Sequence, residues 1–155
     1  MIRIVYMLLT GAILLFGYQK GDSLSMEMNQ KLGIEKEKIY VIDFFASWCA
    51  SCKREMPDLS RFSESQITKD KGIEVIGIDV DQDSQKAKTF QSEMRKENAL
   101  TFRVINDPKG EIIKHFNPIG MPALYVIKDA KVLEVILGAK DNIDKILQKT
   151  IKEHP

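Results

Sequence analysis

Only two cysteines, Cys49 and Cys52, occur in the 155 residues, so no framework of several disulfides holds this chain together. Histidine is equally scarce: His115 and His154 lie far from the cysteines and from each other, which denies zinc the four converging ligands of a tetrahedral site. Lys53, not histidine, follows the second cysteine, and that excludes a haem-attachment motif. No Thr-x-x-Cys motif points to a peroxidase. Neither sign of charge dominates, with 23 Lys and Arg against 22 Asp and Glu. Residues 1–19 hold a single charged side chain, Arg3, so the rest is balanced and offers no electrostatic reason to bind nucleic acid or an anionic surface. Internal repeats and low-complexity tracts are absent.

What remains, 44% hydrophobic and 29% charged, suits one soluble domain large enough to bury a core. The first residues are a different material. Arg3 precedes a mostly apolar run, Ile4 to Tyr18, after which Gln19-Lys20-Gly21-Asp22-Ser23 turns polar, as in an export signal. The run is short for a span of about twenty residues. No small-x-small cleavage site stands out, so residues 1–19 read as a signal peptide or an uncleaved membrane anchor, the competing reading being a buried N-terminal element. Residues 20–38 read as a linker with room for one short helix, and 39–155 as the folded domain.

That domain alternates. Ile39 to Phe45 is a strand, Ala50 to about Ser63 a helix, Ile73 to Val80 a second strand and Ser84 to about Asn98 a second helix with Ala87, Phe90 and Met94 at core spacing. This βαβ order predicts a parallel pair. A short strand over Leu100 to Ile105, the turn Asn106-Asp107-Pro108-Lys109-Gly110 and a short helix over Glu111 to Phe116 follow. Ala123 to Ile127 and Val132 to Leu137 then read as an antiparallel hairpin, and Ile143, Ile146, Leu147 and Ile151 as the stripe of a last helix. The fold class is α/β, a mixed sheet with helices on both faces.

The chemistry sits where the first strand meets the first helix. Two intervening residues at a helix start let Cys49 and Cys52 form a disulfide, and the free N–H groups there favour the thiolate of the first cysteine. Cys49 is therefore the expected nucleophile and Cys52 the thiol that resolves the mixed disulfide. Strand alternation puts Asp43 beside Val41 and Phe45, a carboxyl among apolar groups with a raised pKa, unless it lies exposed at a strand edge. Glu55 either faces the thiols or is a solvated helix charge. Pro57 either kinks the first helix or ends it. Pro122, in a turn leading into a strand, is expected to be cis, the alternative being a trans proline on an edge strand.

Val41 through Lys53 resembles the active-site strand and turn of thioredoxins, Gly120-Met121-Pro122-Ala123-Leu124 their cis-proline loop, and Gly138-Ala139-Lys140 the glycine after their hairpin. The continuation Lys53-Arg54-Glu55-Met56-Pro57 and the segment inserted before Pro122 resemble the exported thiol-disulfide oxidoreductases of the TlpA/ResA type. The resemblance covers roughly residues 39–151 and departs upstream, where residues 20–38 show no leading strand pair. It implies a thioredoxin-like three-layer α/β/α sandwich with a strand and turn inserted before the cis-proline. It also implies that Asp43 moves a proton to or from Cys52, that an acid at Glu55 belongs to the site, and that Trp48, Met121 and Pro122 meet the incoming peptide.

The expected function is a protein thiol-disulfide oxidoreductase outside the cytoplasm, needing no cofactor or metal. Acid near the sulfurs limits stabilisation of the thiolate, which makes the dithiol reducing. Its partners would be client proteins with disulfides, for example cysteines awaiting haem in cytochrome c maturation, and a membrane thiol carrier that re-reduces it. A redox-sensing or partner-docking module and a disulfide oxidase of the same fold are the alternatives.

Overall fold

The computed structural model describes residues 17–154. The expected leader therefore falls outside the described residues except at Gly17, Tyr18 and Gln19. At the centre lies β1 (Ile39–Phe45), buried along its whole length. Its alternate side chains enter two different cores. Ile39, Val41 and Phe45 pack with one cluster, Tyr40, Ile42 and Phe44 with the other. Period-two alternation in a strand with both faces covered requires apolar residues at almost every position, and Asp43 is the exception.

β2 (Glu74–Asp79) pairs parallel with β1, and β3 (Arg103–Asn106) parallel with β2. On the other side β4 (Ala123–Lys128) and β5 (Lys131–Leu137) add antiparallel, giving the order β3-β2-β1-β4-β5. One face carries α2 (Ala50–Glu64), α4 (Ser84–Lys96) and α6 (Ile143–Glu153), which contribute Met56, Leu59, Phe62, Phe90, Met94, Leu147 and Ile151. The opposite face carries α1 (Met26–Leu32) and α5 (Glu111–Phe116) through Met28, Leu32, Ile112 and Phe116. Each such side chain, fully buried, contributes on the order of 1.5–3 kcal/mol. The sandwich is the three-layer mixed-sheet arrangement expected. A short helix, α3 (Gln66–Asp70), was not expected.

Pro57 lies inside α2, which runs on to Glu64, so this proline does not end the helix. Gly77, beside Asp43 in the sheet, is required by close approach: a Cβ there would stand 2.6 Å from the Phe45 ring.

The segment expected as a linker is part of the body. Ser25 caps α1, its hydroxyl accepting from the Met28 N–H, and Leu24, Met28 and Leu32 are buried against the sheet. Upstream, Gly21 N–H donates to Val132 O, Val132 N–H to Asp22 O and Leu24 N–H to Ala130 O, so the chain runs antiparallel along β5 and covers that sheet edge. Such pairing satisfies backbone groups that an edge strand otherwise leaves open. Tyr18, counted by sequence in the apolar leader, packs its ring edge-on against Phe116. The body thus begins upstream of residue 20, because its short apolar positions are too few to form a visible stripe and find their partners only in three dimensions.

Candidate functional site

Cys49 and Cys52 form a disulfide, with S–S 2.05 Å and Cα atoms 5.3 Å apart. Cys49 is the N-cap of α2, and its Sγ accepts the Cys52 N–H at 3.2 Å. No acidic residue occupies the first turn to offset the helix dipole. Both cysteines are largely covered, whereas Trp48 beside them is 69% exposed. A cleft of about 380 Å³ opens alongside, lined in part by Ser47, Lys53 and Phe90.

The turn is held from behind by an acid that sequence reasoning missed. Asp81, itself buried, accepts the Ser47 N–H at 2.8 Å through Oδ2 and the Ser47 hydroxyl at 3.0 Å through Oδ1. Asp79, fully buried, accepts the Asp81 N–H and the Gln91 side-chain N–H. Burial raises the Asp79 pKa, and these bonds partly offset the rise. The available signal was the pair of acids ending an apolar strand that lies parallel to the one leading into Ser47.

Asp43 is the opposite case. It is buried between Val41 and Phe45 on the face that carries α2, not exposed at an edge, and its Oδ1 has no hydrogen-bond partner. Burial, reinforced by the charge of Glu55, pushes its pKa up to about 8. Glu55 is also buried rather than solvated, one turn along α2 from Cys52, and accepts the backbone N–H of Lys140 at 2.6 Å. Burial raises its pKa, and that hydrogen bond works against the rise. The Lys140 contact was not foreseen.

The third component is the loop before β4. Met121-Pro122 is a cis peptide bond. The Pro122 carbonyl accepts the N–H of Gly138 at 2.9 Å, so the loop is fastened to the end of β5. Met121 is half-buried and touches both cores. Because Ala123 pairs with Phe44, the start of β4 and the end of β1 lie together, and the proline loop and the cysteine turn share one end of the sheet. That end brings together Trp48, Cys49, Cys52, Asp43, Glu55, Met121 and Pro122. Among the described residues, no group of three or more His, Cys, Asp or Glu side chains is arranged to hold a metal.

The family model described as thioredoxin-like matches residues 37–132. This chain belongs to the thioredoxin-like family. Among its relatives, the thiol-disulfide oxidoreductase ResA of Bacillus thuringiensis is 34% identical over 117 residues, covering 74% of this chain and 64% of the relative. A ResA from Oceanobacillus iheyensis is 34% identical over 135 residues, covering 79% and 67%. The chain therefore spans about two thirds of the length of the curated relatives it matches. A crystal structure from Chlorobium tepidum, assigned as a thiol:disulfide interchange protein DsbE, superposes with TM-score 0.72 at 24% identity over 87% of this chain and 96% of that one. This thioredoxin-like chain and that protein share a fold.

Proposed function

We propose that this thioredoxin-like chain is a thiol-disulfide oxidoreductase that reduces disulfides in client proteins outside the cytoplasm. Within the segment 1–19, the residues upstream of Gly17 supply the export signal or membrane anchor, and a membrane thiol carrier restores the dithiol. The observation that carries the reading is the sealed Asp43 carboxyl behind a disulfide whose first cysteine caps a helix. Neither a docking module nor a sensor needs a proton carrier there. Cysteines awaiting haem in cytochrome c maturation are one suitable client class.

In the forward step the Cys49 thiolate attacks a client sulfur, the client disulfide breaks, and one client thiolate leaves as a mixed disulfide forms. Cys52 then gives its proton to the Asp43 carboxylate and attacks the Cys49 sulfur. The second client thiolate leaves, and the chain is left with the Cys49–Cys52 disulfide and a protonated Asp43. Two electrons from the carrier's dithiol reset the site. Trp48, Met121 and Pro122 flank the sulfurs where the client peptide must lie, and Glu55 tunes Asp43 by its charge.

Reduction of insulin separates an enzyme from a sensor, and trapping separates the roles of the two thiols. Cys52→Ser is expected to accumulate mixed disulfides with clients, and Cys49→Ser to accumulate none. Adducts on the Cys49→Ser protein instead would overturn the assignment.

A further inference from the structure

We infer that the full chain holds its redox face against a lipid surface, with Trp48 and Ile119 at the interface. The inference rests on the anchoring reading of residues 1–19 and adds an orientation to it. Three sets of contacts along β5 fix the direction in which the N-terminal segment runs. Leu24 bonds Ala130 at the tip of the β4–β5 hairpin, Gly21 and Asp22 bond Val132, and the Lys20 Nζ lies 2.8 Å from the Glu134 carboxylate. Followed upstream from Leu24 to Lys20, the chain climbs β5 toward Leu137 and Gly138. That is the end at which Gly138 fastens Pro122.

The next contacts complete the path. Tyr18 N–H donates to the Phe116 carbonyl at 3.1 Å, and Gly17 passes so close that a Cβ there would stand 2.0 Å from the same oxygen and 2.6 Å from the carbonyl oxygen of Asn117. Only glycine fits this crossing. Ile119 is two residues beyond Asn117, within about 8 Å of it by chain reach. Gly17, the first described residue, therefore sits at the foot of the proline loop, and the uncharged stretch Ile4 to Phe16 joins it directly in the sequence.

That stretch is shorter than the ~20 residues of a helical span, so burying it in a bilayer draws the docked residues after it toward the interface rather than leaving the body at a distance. The surface brought there is suited to it. Ile119 is 90% exposed and Trp48 69%, two of the three large apolar side chains so exposed among the described residues. Trp48 adjoins Cys49 in the chain and Ile119 lies in the loop that leads to the cis Met121-Pro122 bond, and tryptophan favours the headgroup level of a bilayer. A reactive partner thiol would then meet Cys49 at the membrane surface.

Trp48 is the only tryptophan in the chain, so its fluorescence reports this face alone. The full chain, with both cysteines held reduced, is reconstituted into phosphatidylcholine vesicles carrying a spin label near the headgroups. Trp48 emission is expected to be strongly quenched relative to label-free vesicles. A Gly/Ser insertion of about thirty residues between Phe16 and Gly17, with an r.m.s. reach of about 30 Å, should restore it, and Ile119→Asp should lower the quenching. Vesicle flotation is run alongside. A chain that floats with unquenched Trp48 is anchored but faces away, which overturns the inference and leaves the anchoring reading intact. A chain that does not float overturns both. Quenching that survives the long insertion would mean that the face binds lipid by itself, contradicting the role given to the short connection.

Discussion

Asp81 and Asp43 are both nearly sealed from solvent, Asp81 bonded to the cysteine turn and Asp43 on the strand that leads into it, yet they are built in opposite ways. Asp81 has two donors from Ser47 on its two oxygens, and its neighbour Asp79 is bonded to Gln91 and to the backbone. Asp43 has an oxygen with no partner, and burial is the larger cause of its raised pKa. A buried carboxyl whose oxygens are met by donors holds structure in place. A buried carboxyl without donors prefers the proton, and its charge state can change at ordinary pH. The difference separates a carboxyl that positions the cysteine turn from one whose charge state can change, as the proposed proton transfer requires.

Removing each acid should therefore have opposite consequences. The largest effect is expected for Asp81→Ala, which strips the Ser47 N–H and hydroxyl of their acceptor. Two charge-assisted bonds at about 1.5–3 kcal/mol each predict a loss of roughly 3 kcal/mol or more in urea unfolding. Equal stability of variant and parent would show that these bonds do not hold the turn.

Asp43→Asn is expected to act on the pH dependence. The folded pKa of Asp43, about 8, lies above its ordinary value of 3.8, so between those limits the folded state keeps a proton that the unfolded chain has lost. Its contribution to stability is therefore fully present below about pH 4 and is lost as pH rises toward about 8, at up to about 1.4 kcal/mol per pH unit. Unfolding of the oxidised protein across that window should show this slope, and Asp43→Asn should lack it. A slope unchanged in the variant would assign it to other groups. At neutral pH the variant should be more stable than the parent and slower in client release.

A smaller shift is expected from Glu55→Gln. Desolvation is the larger cause of the Asp43 rise and the Glu55 charge the smaller, so the Asp43 midpoint should fall yet stay above the usual carboxylate range. No movement would remove Glu55 from the proton chemistry and leave it as the acceptor for Lys140.

The contrast between the two acids also explains what the sequence made legible. Asp43 interrupts an apolar strand at a position whose direction is set by Val41 and Phe45, so its burial follows from period-two alternation alone. The cysteine turn and the proline loop are contiguous motifs and were readable for the same reason, as were β1 through β5 and most helices. The Asp81–Ser47 contact and the Glu55–Lys140 contact join residues distant in sequence, and nothing local in either partner announces the other. The packing of residues 17–38 was hidden because it depends on single apolar side chains, Tyr18, Leu24, Met28 and Leu32, meeting β5 and α5 from different turns of the chain.

The most direct test of the sealed proton carrier is titration of the Asp43 carboxyl itself in the oxidised protein, followed by carbon NMR of labelled aspartate and assigned by its loss in Asp43→Asn. A midpoint near about 8 is predicted. A midpoint in the ordinary range near about 4 would mean that Asp43 is ionised behind the disulfide, and would contradict the proposed transfer from Cys52.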